Sequence, residues 1–551
     1  MAAAKHHDSM SLRSIEEMEP QYPPPVAGSR RRSAVSDCGS SSQATRTSGF
    51  SWFDLGANGP PGPVDELSLY MGTAFSSIPD DDESARSPYF AKDSLMLAEE
   101  EKIRSASGEF IVDWNKPRDP KNPMNWAMSS RWTQIVLVSV STLQAAIASS
   151  MPAPAVREVL KEFNAPEGVL SSLVVSIFNL GFVFGPVLAA PMSELYGRYS
   201  AYSVSNILFL ACNAACAVSP NLGLLLLFRF LSGCAGSAPL SIGGGTIADV
   251  APPDLRGRAV SVYSLAPLLG PVLGPAAGGF LTEFYGWRWT FWALSIMAGF
   301  LGIVMLLFLR ETSAKTLLEK RTTKIRKKTG DSRYTSVLDD GISPGEAFSR
   351  AIKRPLRLLV LHPIVLILSA YFAIIYGYLY LFFTTVPMVF TDKYGFSAGS
   401  SGLTFIGIGI GSILGTLLPE FRLPLMAYSV PMIPGGLLLY GWTAEKGVFW
   451  LVPMIGTAIV GVGIMFVFTP LASYLVDAFT MHAASALAAS TIIRSIFGAF
   501  LPLAGPPLYD ALGLGWGNTI LAAFALLMAP IPWVVMKRGQ TMRAKYDHRV
   551  Y

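Results

Sequence analysis

The sequence predicts an all-α membrane protein with twelve transmembrane helices in two pseudo-symmetric six-helix bundles. Three observations predict this fold. Of the 551 residues, 51% are hydrophobic and only 15% are charged, whereas an ordinary soluble domain carries about 25% charged residues. Twelve apolar stretches approach the roughly 20 residues that a helix needs to cross the hydrocarbon core of a bilayer. A long basic loop divides them into two sets of six.

The first 114 residues differ from the rest in composition. They are rich in Ser, Pro, Gly and charge, as in Gly59–Pro63 and the acidic run Asp80–Glu83. Such a segment buries too little apolar surface to offset its ordering entropy, so we expect residues 1–114 to be a disordered cytoplasmic tail. It has no basic stretch followed by an apolar core, which predicts no cleavable signal peptide. Arg30–Arg32 before Ser33 is either a site for a basophilic kinase or a solvated basic patch.

The apolar stretches define the two bundles. The first six lie near 132–151, 168–190, 200–218, 222–246, 257–281 and 289–309, and the second six near 360–383, 401–418, 425–442, 449–472, 484–506 and 516–536. Lipid allows only helices or closed barrels to span, and these stretches exceed barrel strands of about ten residues. We expect an N-terminal bundle over 115–310, a central loop over 311–357, a C-terminal bundle over 358–537 and a tail over 538–551.

Lysine and arginine predict the orientation, because they concentrate in cytoplasmic loops. The central loop between Arg310 and Arg357 is strongly basic, and Arg131, Arg198 and Arg256 fall on the same side. We therefore expect both termini and the central loop to be cytoplasmic. The plasma membrane is the expected location, with a vacuolar membrane as the alternative.

Several classes of function have no residues to support them. No Gly-x-x-x-x-Gly-Lys-Ser/Thr loop exists for an ATP-driven pump, and no Gly-x-Ser-x-Gly turn exists for a hydrolase. Five histidines and four cysteines show no metal-ligand spacing. The basic residues adjoin apolar spans and form no nucleic-acid-binding domain. We expect no enzyme activity, no metal, no cofactor and no nucleic-acid partner.

The two halves contain similar glycine patterns. Spans two and eight carry glycines four residues apart, and spans five and eleven combine glycines with prolines. Small residues at this spacing give a smooth helix face for close packing. Matching patterns in corresponding spans indicate duplicated bundles, which is an architecture of transporters.

Five segments resemble motifs of the major facilitator superfamily, in the form found in fungal drug:proton antiporters. They are DPKNPMNW at 119–126, GPVLAAPMSELYGR at 185–198, LAPLLGPVLGPAAGG at 265–279, PEFRLP at 419–424 and SALAA at 485–489. The resemblance covers about residues 115–540. It implies the major facilitator fold, with alternating access between its two bundles. One departure is the loop between spans eight and nine, which is shorter than is usual in that group.

The resemblance gives two of these motifs a role in opening and closing. The span-five motif is expected to bend the helix and seal the gate between the bundles, with helix packing alone as the alternative. Its residues are Gly270, Pro271, Gly274, Pro275, Gly278 and Gly279. A cytoplasmic latch is expected after span two, with ordinary surface charge as the alternative. Its residues are Gly185, Glu194, Gly197 and Arg198, together with Asp249 at the cytoplasmic end of span four. We expect Arg198 to pair with Asp249, and Glu194 to meet the positive end of span eleven near Ala484.

Charged residues near or inside the spans are the candidates for proton coupling. Arg229 lies within an apolar run, where a charge costs about 3 kcal/mol unless it is paired or hydrated. We expect it to face the bundle interior, with snorkelling to an interface as the alternative, and in the resembling antiporters this arginine is linked to proton transfer. Asp249 and Glu283 are the other candidates, because no acid lies clearly at mid-membrane.

Polar and aromatic side chains inside spans are candidates for the substrate cavity, because aromatic rings suit flat or greasy compounds. They are Gln144, Asn179, Tyr371, Tyr376, Tyr380, Phe466 and Arg494. Arg494 either holds an anionic substrate group or ties a neighbouring helix.

The sequence thus predicts a secondary transporter that exports drugs, fungal toxins or other secondary metabolites by proton antiport. Its partners would be a small-molecule substrate, protons and the lipid bilayer. A polyamine exporter of the same family is one alternative. The other is a non-transporting nutrient receptor on the same fold, signalling through the long tail.

Overall fold

The computed structural model describes residues 110–115, 119–339, 341–417, 424–478, 483–535 and 537. Most of the predicted tail with its kinase site, the short loop between spans eight and nine, and the C-terminal tail lie outside the described residues.

The N-terminal bundle contains seven long helices that correspond to six predicted spans. They are α1 (Met128–Ser150), α3 (Val169–Leu195), α4 (Arg198–Ala217), α5 (Leu222–Gly236), α6 (Ala238–Val250), α7 (Pro253–Tyr285) and α8 (Arg288–Phe308). The short helix α2 (Val156–Glu162) follows α1. Helices α5 and α6 together form span four, with a break at Ser237 before Pro239.

Two helices and a strand form the central loop. They are α9 (Ala314–Thr329), β2 (Thr335–Ser336) and α10 (Pro344–Leu361). Strand β2 pairs in parallel with β1 (Ile111–Val112), just before the first span. Helix α10 packs against α3 of the first bundle and α16 of the second, so it lies across one end of both bundles.

The C-terminal bundle supplies the remaining spans. Its helices are α11 (Pro363–Tyr394), α12 (Ala398–Leu403), α13 (Ile406–Leu417), α14 (Pro424–Glu445), α15 (Leu451–Ala478), α16 (Ala483–Phe500) and α17 (Gly505–Leu527). Short helix α12 and α13 together form span eight.

Within the described residues, ten helical segments are long and apolar enough to cross a membrane. One of them, Ala486–Val535, has 50 residues and would reach ~75 Å as one helix, more than twice the hydrocarbon thickness. Gly513, at φ 74°, interrupts it, so it holds two spans. Helix α14 has 22 residues, with Pro431 and Pro434 lowering its hydropathy. Together these account for the twelve predicted spans.

The helices pack as two bundles that meet along a few helix pairs. In the first bundle α1 packs on α7, α3 on α5 and α4 on α8; in the second, α14 packs on α15 and α17, and α13 on α15. Between the bundles, α3 packs on α16 and α7 packs on α12. We call the end of the bundles near Arg198 and Glu311 the central-loop end, and the end near Glu283 and Asp392 the opposite end.

Candidate functional site

The middle of the bundle interface is formed by α3, α11 and α16. The Asn179 amide donates a hydrogen bond to the Ser495 carbonyl at 3.3 Å, which joins the two bundles. Gly498 permits this approach, because a Cβ there would lie 2.0 Å from Asn179 Nδ2 and 3.1 Å from the Tyr376 ring. The structure therefore brings the predicted residues Asn179, Tyr376 and Arg494 into one region.

Arg494 contacts aromatic rings. Its guanidinium carbon lies 4.7 Å from the Tyr376 ring centroid and 5.8 Å from that of Phe372, within the range of a cation–π attraction. Its Nε atom is buried and has no hydrogen-bond partner. Arg494 thus retains an unused donor close to the interface.

Arg229 has a different environment. Its side chain is 0% exposed, as expected of a residue facing the bundle interior. Its guanidinium donates to the carbonyls of Ala148 at 2.9 Å, Val174 at 3.3 Å and Val175 at 3.4 Å, and its carbon lies 4.8 Å from the Phe178 ring centroid. All three nitrogens therefore have backbone acceptors.

A proline explains why the Ala148 carbonyl can accept from Arg229. In an α-helix this carbonyl would accept from the amide four residues later. That residue is Pro152, which has no N–H. Sequence reasoning missed this role of Pro152, although the signal was a proline at the end of span one.

Tyr380 is buried one turn after Tyr376 on α11. Its hydroxyl is 3.4 Å from that of Tyr376. Because Tyr376 also contacts Arg494, the two phenols and this cation join span seven to span eleven.

Other predicted cavity residues lie inside a single bundle. Gln144 lines a cavity of about 20 Å³ with Tyr202, Asn206 and Met305, in the first bundle. That volume holds about one water molecule. The Tyr371 hydroxyl is 3.1 Å from that of Ser429 within the second bundle, and Phe466 on α15 is buried.

The glycine stripe of α7 packs against α1 of its own bundle. A Cβ at Gly270, Gly274 or Gly278 would lie 2.3 Å from Ala146, 2.4 Å from Ser150 and 1.9 Å from Met151, respectively. The neighbouring face of α7 meets the second bundle instead. There a Cβ at Gly279 would lie 2.4 Å from the Ala398 carbonyl, and one at Gly402 would lie 2.2 Å from the Pro275 carbonyl. Pro271 lies within α7 between these contacts.

The expected pairing of Arg198 with Asp249 is present at the central-loop end, at 3.1 Å between Nε and Oδ2. Sequence reasoning missed a third member, Glu311. Its carboxylate accepts from the backbone amides of Arg198 at 2.8 Å and Tyr199 at 3.3 Å, at the positive N-terminus of α4. Gly197 has φ 93°, and a Cβ there would lie 2.1 Å from Glu311. The signal was an acid directly after span six.

Of the remaining latch residues, Gly185 is packed against another helix and Glu194 is exposed. A Cβ at Gly185 would lie 1.9 Å from the Ser237 hydroxyl, so Gly185 allows α3 to pack closely on span four. Glu194 is exposed. Its predicted partner, the start of span eleven, adjoins residues 479–482, which lie outside the described part of the chain.

Two carboxylates connect the bundles at the opposite end. Glu283 on α7 accepts from the Ser397 hydroxyl at 2.7 Å and from the Gly399 amide at 2.8 Å, just where span eight begins. Arg157 after span one pairs with Asp392 on α11. Among the described residues, no group of three His, Cys, Asp or Glu side chains could hold a metal ion.

Comparison with known proteins identifies the family. A model described as Major Facilitator Superfamily matches residues 138–502. The chain belongs to this superfamily. The superfamily predicted from the five sequence segments is therefore confirmed, as is the expectation that the protein is a transporter and not an enzyme.

Curated fungal members of the superfamily are similar over most of their length. The efflux pump radE of Floropilus chiversii is 45% identical over 456 residues, covering 79% of this chain and 85% of that protein. The MFS-type transporter tndD of Aspergillus flavipes is 44% identical over 472 residues, covering 81% and 88%. The xylose transporter XylE from E. coli, solved in a partially occluded inward-open conformation, has a TM-score of 0.57 at 16% identity and covers 73% of this chain and 98% of that one. The likeness to XylE confirms the predicted fold.

Proposed function

We propose that this transporter exports small organic compounds, such as drugs, fungal toxins or other secondary metabolites, by exchange for protons. The observation that carries the proposal is the polar and aromatic region at the interface of two bundles, around Asn179, Tyr376 and Arg494. Such a site at the bundle interface is where transporters of this architecture bind substrate. Support for the outward direction comes from relatives of this chain, of which radE is named an efflux pump.

Alternating access requires contacts between the bundles that can form and break. At the opposite end these are the hydrogen bonds of Glu283 with span eight and the Arg157–Asp392 pair. At the central-loop end α10 contacts both α3 and α16. We propose that the bundles rock about the middle of the interface and separate at each end in turn.

Glu283 is the favoured proton carrier among the three candidates. Arg229 is hydrogen-bonded to backbone carbonyls, and Asp249 is paired with Arg198 inside its own bundle. Glu283 instead accepts two hydrogen bonds from the other bundle. A protonated carboxyl accepts these bonds more weakly than a carboxylate, so protonation of Glu283 would loosen the opposite end.

The membrane and the orientation belong to the same proposal. With the basic central loop in the cytoplasm, export would run from the central-loop end to the opposite end, and the plasma membrane is the proposed location. A proton gradient would be the energy source, and phosphorylation of the N-terminal tail near Ser33 a means of control.

Transport in proteoliposomes tests the function. With an imposed pH gradient, we expect vesicles containing the purified protein to accumulate a fluorescent efflux substrate, and a protonophore to abolish the accumulation. Uptake that does not depend on the pH gradient would contradict proton antiport. Deleting residues 1–110 separates the transporter from the alternative of a nutrient receptor, because a transporter keeps its flux without the tail.

A further inference from the structure

The centre of the bundle interface carries positive charge without a compensating carboxylate. Arg494 lies there beside Tyr376, and the second intramembrane arginine, Arg229, is buried inside the first bundle. Among the described residues of the spans, the acids lie near helix ends. They include Glu194, Asp249, Asp254, Glu283, Asp392, Glu445 and Asp510. A charge in a low-dielectric region is costly unless an opposite charge or aligned dipoles compensate it. The region therefore favours a ligand that carries negative charge.

Arg494, and not Arg229, has an unused hydrogen-bond donor that can bind such a ligand. The three guanidinium nitrogens of Arg229 already donate to carbonyls. Arg494 is positioned by the faces of Tyr376 and Phe372, and its buried Nε has no partner. Cation–π contacts fix where the guanidinium lies without using its N–H groups.

Polar atoms next to Arg494 are also unsatisfied. Asn179 and Ser495 are each 0% exposed, and Asn179 Oδ1 and the Ser495 hydroxyl have no hydrogen-bond partner. A buried polar atom without a partner costs about 1–3 kcal/mol, so a ligand that satisfies these atoms gains that energy. The hydroxyl can donate to an oxyanion, whereas Asn179 Oδ1 can accept from a hydroxyl or N–H group of the ligand.

Aromatic rings provide the apolar side of the same region. Phe372 lies 5.3 Å from Phe468 and 5.9 Å from Tyr376, measured between ring centroids, so spans seven and ten form a continuous aromatic wall beside Arg494. Such a wall suits a flat ring system.

We propose that the substrate is an organic acid with a flat ring system, whose anionic group binds Arg494. Its rings contact the wall of Phe372, Tyr376 and Phe468. This inference rests on the proposed export function, because it assigns the substrate class of the same site. It also opposes the polyamine alternative, since a polycation would be repelled by both arginines.

Two dyes of matched shape test the charge preference directly. Fluorescein and rhodamine 123 share a three-ring xanthene core, but at pH 7.5 fluorescein is anionic and rhodamine 123 is cationic. Binding of each dye to the purified protein in lipid nanodiscs is measured by fluorescence anisotropy, without any gradient. We expect fluorescein to bind at least about tenfold more tightly, the effect of one charge-assisted hydrogen bond.

Variants at Arg494 identify the residue responsible. Arg494→Gln should remove at least about tenfold of the fluorescein affinity, and Arg494→Lys should restore part of it because it keeps the charge. Arg256→Gln, an exposed arginine at the central-loop end, is the control and should bind as the unmodified protein does. Thermal unfolding of each variant shows whether a loss of binding reflects a loss of folding.

The binding measurements test the anion site independently of proton antiport. Tighter binding of rhodamine 123, or unchanged fluorescein affinity in folded Arg494→Gln, would overturn the anion site. Fluorescein binding through Arg494 without gradient-driven flux would support the site and contradict proton exchange. If Arg494→Gln does not fold, the folded Arg494→Lys variant decides instead. Equal affinities of that variant for rhodamine 123 and fluorescein would refute the anion site.

Discussion

The two arginines inside the membrane have opposite environments in the two bundles. In the first bundle, Arg229 is fully buried and all its nitrogens donate to backbone carbonyls of α1 and α3. In the second bundle, Arg494 contacts two aromatic rings and keeps an unpartnered Nε. A cation whose hydrogen bonds are all made within the protein holds helices together, whereas a cation with an unused donor can bind a ligand.

The surrounding packing supports this difference. The α1 segment that supplies the Ala148 carbonyl packs directly on the glycine stripe of α7. The stripe, the end of α1 and Arg229 therefore form one closely packed unit. Around Arg494, in contrast, Gly498 leaves just enough room for Asn179 from the other bundle.

Replacing each arginine by glutamine tests the comparison most strongly. Arg229→Gln should destabilise the protein by about 3 kcal/mol and abolish transport, because buried carbonyls lose their donors. Arg494→Gln should leave the unfolding temperature nearly unchanged while it reduces transport, because it breaks no hydrogen bond. Thermal unfolding in nanodiscs and flux in proteoliposomes measure the two effects. Equal losses of stability in both variants would show that the arginines have the same role.

Gly274→Leu should disrupt the first-bundle unit without touching Arg229 itself. A side chain at Gly274 meets the Ser150 hydroxyl at 2.4 Å and the Ile147 carbonyl at 2.8 Å, and it would push α1, with Ala148, away from Arg229. We expect transport to be lost while membrane insertion is kept. Gly244→Leu is the matched control, since nothing lies within 4 Å of a Cβ there. Full activity of Gly274→Leu would remove the close packing from the mechanism.

Pro152→Ala should have a smaller effect on the same arginine. Alanine restores an N–H that can compete with Arg229 for the Ala148 carbonyl. We expect a destabilisation of about 1 kcal/mol, the net value of one hydrogen bond, and a partial loss of flux. Thermal unfolding of Pro152→Ala alone and combined with Arg229→Gln provides the measurement. If the two effects simply add, the proline does not act through Arg229.

The sequence predicts the spans well, because length and hydropathy determine which segments enter lipid. It also predicts that Arg229 faces inward, since an unpaired charge toward lipid is costly. It does not predict which neighbour a helix face meets, and for this reason Gln144 and Tyr371 lie inside single bundles instead of between them. The role of Glu311 depends on a contact with Arg198, 113 residues away. The sequence shows an acid directly after span six, but it does not show which residue that acid contacts.

Arg321 extends the comparison to an arginine outside the membrane that does have a carboxylate. It donates to Asp119 at 2.8 Å and to Asn115 at 2.7 Å, and so holds α9 of the central loop against the segment before span one. The backbone amide of Lys121, the amide of Asn115 and Arg321 itself lower the pKa of Asp119 below its ordinary value of 3.8. The carboxylate therefore stabilises the fold fully above about pH 4, and this contribution is lost as the pH falls through the lowered pKa.

Asp119→Asn should accordingly cost at most about 1 kcal/mol at neutral pH, as for a single partly solvated ion pair, which is the smallest effect predicted here. The cost should shrink as the pH falls below 4, because the unmodified protein then loses the same charge. A double-mutant cycle with Arg321→Gln, followed by thermal unfolding between pH 3 and pH 7, measures the coupling. Absence of coupling at neutral pH would show that Arg321 acts through Asn115 and not through the carboxylate. In that case a neutral amide would hold this arginine, as neutral carbonyls hold Arg229.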